Sequence, residues 1–187
     1  SGNYVWANYF GSDNSDIGYG IAVDGSGNVH VTGYFMGTVD FDPGVGTANL
    51  SNPGSQDVFI AKYDASGSYL WARQIGSTGA DIGYGLALDG SGNVHVTGSF
   101  QGSNVDFDPG AGTAYLSSAG LADIFIAKYD ASGNYVWANR IGGSGADGGF
   151  DIAPDGSGNV FVSGIFSASN VDFDPGAGTA NLSTAGG

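Results

Sequence analysis

The sequence predicts an all-β protein built from tandem four-stranded antiparallel units. Three observations predict this fold class. Segments of similar sequence recur along the chain at offsets of 65 and 66 residues. Each segment holds short runs of β-branched and aromatic residues, separated by Gly, Asn, Asp and Ser, which is typical of strands and turns. No apolar period of 3.6 residues persists for three turns, so helices are not expected.

The repeats divide the chain into three parts. The Tyr-Val-Trp-Ala segment at 4–7 returns in similar form at 69–72 and 135–138, and the Asp-Gly-Ser-Gly-Asn-Val segment at 24–29 returns at 89–94 and 155–160. We therefore assign 1–68 to repeat 1, with an N-terminal strand ahead of its unit, 69–134 to repeat 2 and 135–187 to a truncated repeat 3. The chain therefore contains about 2.8 repeats. To complete three copies, the third repeat needs ten more residues, equivalent to residues 122–131 of the second. We expect another chain or missing sequence to complete the last unit, and an arbitrary segment boundary is the alternative.

The elements of repeat 1 follow from local composition. We predict strands over Tyr19–Val23, Asn28–Phe35, Val58–Tyr63 and Tyr69–Ile75, with a small hairpin around Val39–Leu50 inside a Gly-rich excursion. Tight turns at 24–27 and 64–67 join neighbouring strands, because Asp bonds the backbone two residues on and Gly accepts a positive φ. Such short connections pair strands antiparallel.

Four short antiparallel strands at a fixed period are typical of a β-propeller blade. In that architecture the apolar runs at 58–61 and 124–127 are buried on both faces of their sheets. Trp6, Trp71 and Trp137 then fill the space between neighbouring sheets. A β-solenoid is the competing architecture, but its coils are usually shorter and do not favour tight hairpin turns.

Composition limits the classes of partner. The 187 residues include 18 Asp, no Glu and only 4 basic residues, for a formal net charge of −14. This charge argues against a nucleic-acid partner and against docking on an anionic membrane surface. No apolar run is long enough for membrane insertion. The absence of cysteine excludes disulfides and thiolate metal sites.

Paired carboxylates are the strongest candidate for a binding site. Residues two apart on an extended segment point to the same face, about 7 Å from each other. Two like charges at that distance repel unless water or a cation compensates, and oxygen ligands suit Ca²⁺. The alternative is a solvated acidic pair whose second Asp caps the Pro-Gly turn. The candidate metal-binding pairs are Asp40 and Asp42, Asp106 and Asp108, and Asp172 and Asp174.

Other side chains offer little chemistry. His30 and His95 occupy matching positions, and the third copy has Phe161 there, which favours a packing or surface position over a ligand. With two histidines and no cysteine, zinc or Cys–His chemistry has few ligands. The Asp pairs recur in every copy, whereas an enzyme usually has one active site. We therefore assign no catalytic residue and predict that the chain is not an enzyme.

Three segments carry a resemblance to a known family. Gly-Asn-Val-His-Val-Thr-Gly at 27–33, Phe-Ile-Ala-Lys-Tyr-Asp-Ala-Ser-Gly at 59–67 and Tyr-Leu-Trp-Ala-Arg-Gln-Ile-Gly at 69–76 resemble the bacterial SBBP-type β-propeller repeat. The resemblance implies a secreted or surface-located bacterial protein with no shared catalytic residue. Closed propellers need at least about four blades. Fewer than three repeats are therefore not expected to close a ring.

The repeats and the composition favour two functions, the first more strongly. The first is that of a non-enzymatic extracellular structural or assembly protein, such as a filament or surface scaffold subunit joined by strand complementation to copies of itself or to further repeats. The alternative is an adhesion module that binds carbohydrate or protein weakly at each repeat, with glycans among its partners. An enzyme is the least favoured class, because no unique set of acid, base and nucleophile is present.

Overall fold

The computed structural model describes residues 2–52 and 54–184, and these residues form strands, turns and loops without a helix. Three successive units share one pattern of strands. The first holds β1 (Ile17–Val23), β2 (Val29–Phe35), β3 (Thr38–Asp40), β4 (Asn49–Ser51), β5 (Asp57–Tyr63) and β6 (Tyr69–Ile75). The second holds β7 (Ile82–Leu88), β8 (Val94–Phe100), β9 (Val105–Asp106), β10 (Tyr115–Leu116), β11 (Asp123–Tyr129) and β12 (Tyr135–Ile141). The third holds β13 (Gly148–Pro154), β14 (Val160–Ile165), β15 (Val171–Asp172) and β16 (Asn181–Leu182).

Two complete four-stranded antiparallel sheets confirm the predicted repeated unit. Unit 1 has the strand order β1-β2-β5-β6, and unit 2 has the matching order β7-β8-β11-β12. A two-stranded hairpin lies between the second and third main strands of each unit, as the sequence predicts. Unit 3 contributes β13 paired with β14 and the hairpin β15-β16. The described residues form no closed ring of blades.

The tight turns form by the predicted mechanism. The Oδ1 atom of Asp24 accepts hydrogen bonds from the backbone N–H groups of Ser26 and Asn28, both at 2.9 Å. Gly27 adopts a φ of 83°, a conformation that glycine accepts without strain. The same arrangement recurs after β5, β7, β11 and β13. These turns fix the antiparallel pairing within each sheet.

A continuous apolar core joins the sheets of units 1 and 2. Val58 and Ile60 of β5 pack with Val94 and Val96 of β8, and Phe125 of β11 lies in the same cluster. All five side chains are fully buried. The third strands are therefore covered on both faces, as their uninterrupted apolar sequence predicts.

The expected N-terminal strand is absent. Residues 4–10 match β6 in sequence but form no strand, because no third strand lies beside them to pair with. They nevertheless contact unit 1. The indole N–H of Trp6 donates to the Ala65 carbonyl at 3.1 Å, and the ring of Phe10 packs against Phe41 and Phe59. The segment thus lies against unit 1 much as β6 lies against unit 2.

Candidate functional site

The Asp pairs lie at the three small hairpins and organise their loops. The Oδ1 atom of Asp40 accepts from the backbone N–H groups of Asp42 at 3.0 Å and Ala48 at 2.8 Å. The Oδ1 atom of Asp42 accepts from the N–H of Gly44 at 2.8 Å, so the second Asp caps the Pro-Gly turn. The pairs Asp106 and Asp108, and Asp172 and Asp174, make the same three hydrogen bonds.

These hydrogen bonds favour the ionised form of Asp40 and of Asp172. The pKa of Asp40 is lowered by the backbone N–H of Ala48 and then by that of Asp42. The pKa of Asp172 is lowered in the same way by Ala180 and Asp174. No cluster of three or more His, Cys, Asp or Glu side chains suited to a metal occurs in the described ranges. A cation at a pair would therefore need backbone oxygens or water as further ligands, and calcium binding stays a prediction.

Each Asp pair, or one member of it, lines a polar groove. The first groove lies between unit 1 and the N-terminal segment, and the other two lie where one unit meets the next. We call these the boundary grooves, and their volumes are about 360, 380 and 310 Å³ in chain order. The first is lined by Asn8, Asp42, Pro43, Gly44, Ser66, Gly67, Ser68 and Tyr69. The second is lined by Leu50, Ala72, Arg73, Gln74, Gly76, Asp106, Asp108 and Pro109. The third is lined by Leu116, Asn139, Arg140, Gly142, Asp172, Asp174, Pro175 and Gly176.

Three basic or amide side chains of the grooves, those of Arg73, Gln74 and Arg140, form hydrogen bonds within the protein. The guanidinium of Arg73 donates to the carbonyls of Gly133 and Ser132, both at 3.0 Å. Gln74 donates to Asp57 at 2.6 Å, and the guanidinium of Arg140 donates to Asp123. These contacts fix the walls of the grooves. The carboxylates of the Asp pairs are the acidic groups that recur in all three grooves.

Buried carboxyl groups behind the grooves are a feature that the sequence pattern did not predict. Asp57 and Asp81 are at most 1% exposed, and the N–H of Asp81 donates to the Gln56 carbonyl at 2.7 Å. Burial raises the pKa of Asp57 to about 7, against the hydrogen bond from Gln74, and the charge of Asp81 raises it further. Burial also raises the pKa of Asp81 to about 6, against hydrogen bonds from Gln101 and Ser77. Asp123 and Asp147 repeat the arrangement at the next boundary. Their recurrence at an offset of 66 is the feature of the sequence from which these buried residues could have been found.

The histidines take packing positions, one of the two alternatives that the sequence favours. His30 is fully buried, and its ring meets that of Trp71 edge-on with centroids 6.0 Å apart. Burial lowers the pKa of His30, and the nearby charge of Lys62 lowers it further, against the Asp24 carboxylate, whose Oδ2 lies 3.7 Å from Nε2. His95 and Trp137 repeat this contact in unit 2. Burial therefore favours the neutral form of both histidines.

Comparison with known proteins agrees with the repeat architecture. The SBBP β-propeller repeat family matches residues 5–34 and 70–108. A WD repeat-containing protein of Acanthamoeba polyphaga mimivirus is 28% identical over 201 residues, covering 96% of this chain. The regulatory protein FlaEY of Caulobacter vibrioides is 33% identical over 111 residues, covering 59% of this chain.

The relatives are much longer proteins. The matches cover 14% of the viral protein and 12% of the Caulobacter protein. One relative is viral, so the restriction to bacteria that the resemblance implied is not supported. The described part of the chain also contains no helix long and apolar enough to cross a membrane. Residues 5–34 and 70–108 of the chain therefore carry β-propeller repeats of the SBBP type.

Proposed function

We propose that the chain is a non-enzymatic structural or assembly module that extends by stacking further repeats, outside the cell or at its surface. This proposal rests on the apolar side chains that are exposed in units 1 and 3. Similar surface is buried where the units pack against each other. In β1, Ile21 and Val23 are 67% and 61% exposed, while Leu86, the equivalent of Ile21 in β7, is 7% exposed. In unit 3, Phe161 and Ile165 are 62% and 56% exposed.

Exposed apolar patches of this kind are typical of interaction surfaces. The same repeat packs on both sides of unit 2, so a unit from another copy or a further repeat has a surface to match. A head-to-tail contact of this type continues as a filament or closes into a ring. The net charge of −14 opposes close approach of copies, and cations at the Asp pairs would reduce that repulsion.

The native molar mass of the chain, measured by light scattering with calcium and after chelation, tests this proposal. We expect an assembly larger than the 18.7 kDa chain. Dissociation on chelation supports bridging cations, whereas an unchanged assembly argues against the metal alone. A monomer at all concentrations and in both solutions contradicts assembly of the chain by itself.

The outward face of the N-terminal segment offers a sharper test. Val5 and Tyr9 are 77% and 79% exposed, while Trp6 and Phe10 of the same segment contact unit 1. The double variant Val5→Lys and Tyr9→Lys should reduce the assembly without uncovering the core, and deletion of residues 1–10 should abolish it. Val45→Lys is the matched control, because Val45 is fully exposed in a hairpin loop.

A binding module is the second candidate, and the threefold recurrence of the boundary grooves favours it. Each groove presents one or two Asp carboxylates from a hairpin loop, beside residues of the preceding unit or, in the first groove, of the N-terminal segment. Repeated weak sites gain affinity through multivalency. A glycan array probed with the assembled protein tests for carbohydrate. The same array probed with the variant that carries Asp42→Asn, Asp106→Asn, Asp108→Asn, Asp172→Asn and Asp174→Asn tests all three grooves. Binding that survives these substitutions contradicts the groove as the site.

A further inference from the structure

An apolar groove lies beside β14, at the open edge of unit 3. We call it the third-strand groove, and its volume is about 310 Å³. β14 pairs with β13 on one side, and no strand in the described ranges pairs with its other side. An unpaired strand edge beside apolar surface is a template for another strand. Its walls include Ile124, Ile126 and Ile141 of unit 2 and Val160, Val162 and Phe173 of unit 3.

The equivalent place one unit earlier shows what fits such a groove. The six wall residues have counterparts 66 positions earlier, all buried in the core between units 1 and 2. They are Val58, Ile60, Ile75, Val94, Val96 and Phe107. There, β11 inserts Phe125, Ala127 and Tyr129 among them and pairs with β8 over seven residues. The third-strand groove is thus equivalent to the core between units 1 and 2, except that no strand occupies the position that β11 takes there.

Polar contacts of β11 fix its register in unit 2. The hydroxyl of Thr97 donates to the Phe125 carbonyl at 2.8 Å, and the hydroxyl of Tyr129 donates to the Phe107 carbonyl at 3.0 Å. The ammonium of Lys128 donates to a carboxylate oxygen of Asp89 at 2.9 Å.

Unit 3 retains the partners for all three contacts. Ser163 stands where unit 2 has Thr97, and Asp155 stands where it has Asp89. The Phe173 carbonyl corresponds to the carbonyl that accepts the tyrosine hydroxyl. The sequence of unit 3 therefore still specifies a third strand of the β11 type.

We propose that the third-strand groove binds an extended peptide segment of a further repeat, of the sequence class Asp-Ile-Phe-Ile-Ala-Lys-Tyr. The segment adds to β14 by backbone hydrogen bonds, with its Phe opposite Gly164 and its Lys opposite Phe161, where the ammonium reaches Asp155. Its Phe, Ala and Tyr side chains fill the groove. The proposal rests on the proposed function, because it names the segment by which the stack is extended at this end.

The N-terminal segment of a second copy fits this place less well. Its Tyr-Val-Trp-Ala sequence is that of a fourth strand, and fourth strands pair with third strands in units 1 and 2. It also contacts its own unit through Trp6 and Phe10. The chemistry of the groove therefore selects a third strand.

A synthetic peptide tests the assignment directly. The capped ten-residue peptide with the sequence of residues 122–131 is titrated into the chain by calorimetry, and amide hydrogen exchange is followed at 160–165. We expect one peptide per chain and slower exchange of the β14 amides. A scrambled peptide should not bind, and replacement of the peptide Phe by Ser should weaken binding on the order of 100-fold. Equal binding of the scrambled peptide, or unchanged exchange in β14, overturns the proposal.

Substitutions on both sides test the predicted register. Asp155→Asn in the protein and Lys→Met in the peptide should each weaken binding several-fold, and together no more than either alone. Val162→Asp should abolish binding, with near-ultraviolet circular dichroism as the check on folding. If the losses of affinity from Asp155→Asn and from the peptide Lys→Met simply add, the two groups are not in contact and the predicted register is wrong. This test does not depend on whether Val162→Asp folds.

Light scattering of the chain without peptide separates this proposal from the proposed function. A monomer that binds the peptide supports the third-strand groove and contradicts self-assembly. An assembly that neither binds the peptide nor protects β14 overturns the groove assignment and leaves the proposed function standing. An assembly in which the peptide competes for β14 supports both.

Discussion

Replacement of Gln74 by Arg should stabilise the boundary between units 1 and 2 at neutral pH. Two equivalent sites differ in charge: Asp57 accepts a hydrogen bond from the neutral Gln74, whereas Asp123 accepts one from Arg140. Burial raises the pKa of Asp57 to about 7, so the folded protein retains a proton that the unfolded chain loses at lower pH. An arginine at position 74 would supply the positive charge that unit 2 already has.

The magnitude follows from proton linkage. Because the pKa of Asp57 is about 7 in the folded protein and 3.8 ordinarily, its contribution to stability is fully present below pH 3.8 and is lost as the pH rises to 7. At about 1.4 kcal/mol per pKa unit, the free energy of unfolding falls by up to about 4 kcal/mol over this range. A charge-assisted hydrogen bond contributes about 1.5–3 kcal/mol. Gln74→Arg should therefore raise the free energy of unfolding by about 2 kcal/mol at pH 7.5 and by much less at pH 4.

Urea unfolding followed by tryptophan fluorescence at several pH values measures this effect. Gln74→Met is the matched control, because it keeps the length of the side chain without a charge. The reciprocal change Arg140→Gln removes one partner of an ion pair whose carboxylate is buried, and it should lower the free energy of unfolding by about 3 kcal/mol at pH 7.5. A stabilisation by Gln74→Arg that is equal at pH 4 and pH 7.5 would refute the assignment to the Asp57 carboxylate.

Three further predictions concern buried positions. Tyr129→Phe leaves the Phe107 carbonyl without its donor and should lower the free energy of unfolding by about 1–2 kcal/mol in urea titrations. Gly98→Ala would place a Cβ 1.9 Å from the carbonyl oxygen of Ile82 and should lower the unfolding temperature far more than Gly90→Ala, whose Cβ meets no atom within 4 Å. Burial lowers the pKa of His95, so stability is lost as the pH falls from 6.5 through the folded pKa; His95→Phe, the residue natural to the third copy, should flatten that part of the pH profile.

The strands could be predicted from sequence because local signals agreed with the repeat. The Asp-Gly turns and the apolar runs placed β6 at its observed bounds and the other main strands of unit 1 within two residues. The failure at residues 4–10 has a physical cause. A strand exists only when a neighbour satisfies its backbone groups, and no residue within the segment can reveal whether that neighbour is present.

The candidate site was predicted only in part. Sequence spacing located the Asp pairs, and the structure adds that backbone N–H groups already occupy an oxygen of each carboxylate. Asp57 and Asp81 were missed because an Asp at the start of an apolar run is ordinarily a solvated strand end. The two residues are 24 positions apart in sequence and belong to different units, which the hydrogen bond from the Asp81 N–H to the Gln56 carbonyl brings together.

Equivalent residues in the three units show that burial is decided by the neighbour rather than by the residue. Val94 and Val96 are fully buried because β11 covers them, whereas Val160 and Val162, identical in type and in register, are only partly buried beside an open edge. The valines of unit 3 bury less apolar surface than their counterparts in unit 2 and therefore gain less stabilisation from burial. Their retention alongside Asp155 and Ser163 is explained if β14 is covered by a strand of the β11 type, and the peptide titration therefore tests the reason for this sequence as well as the groove itself.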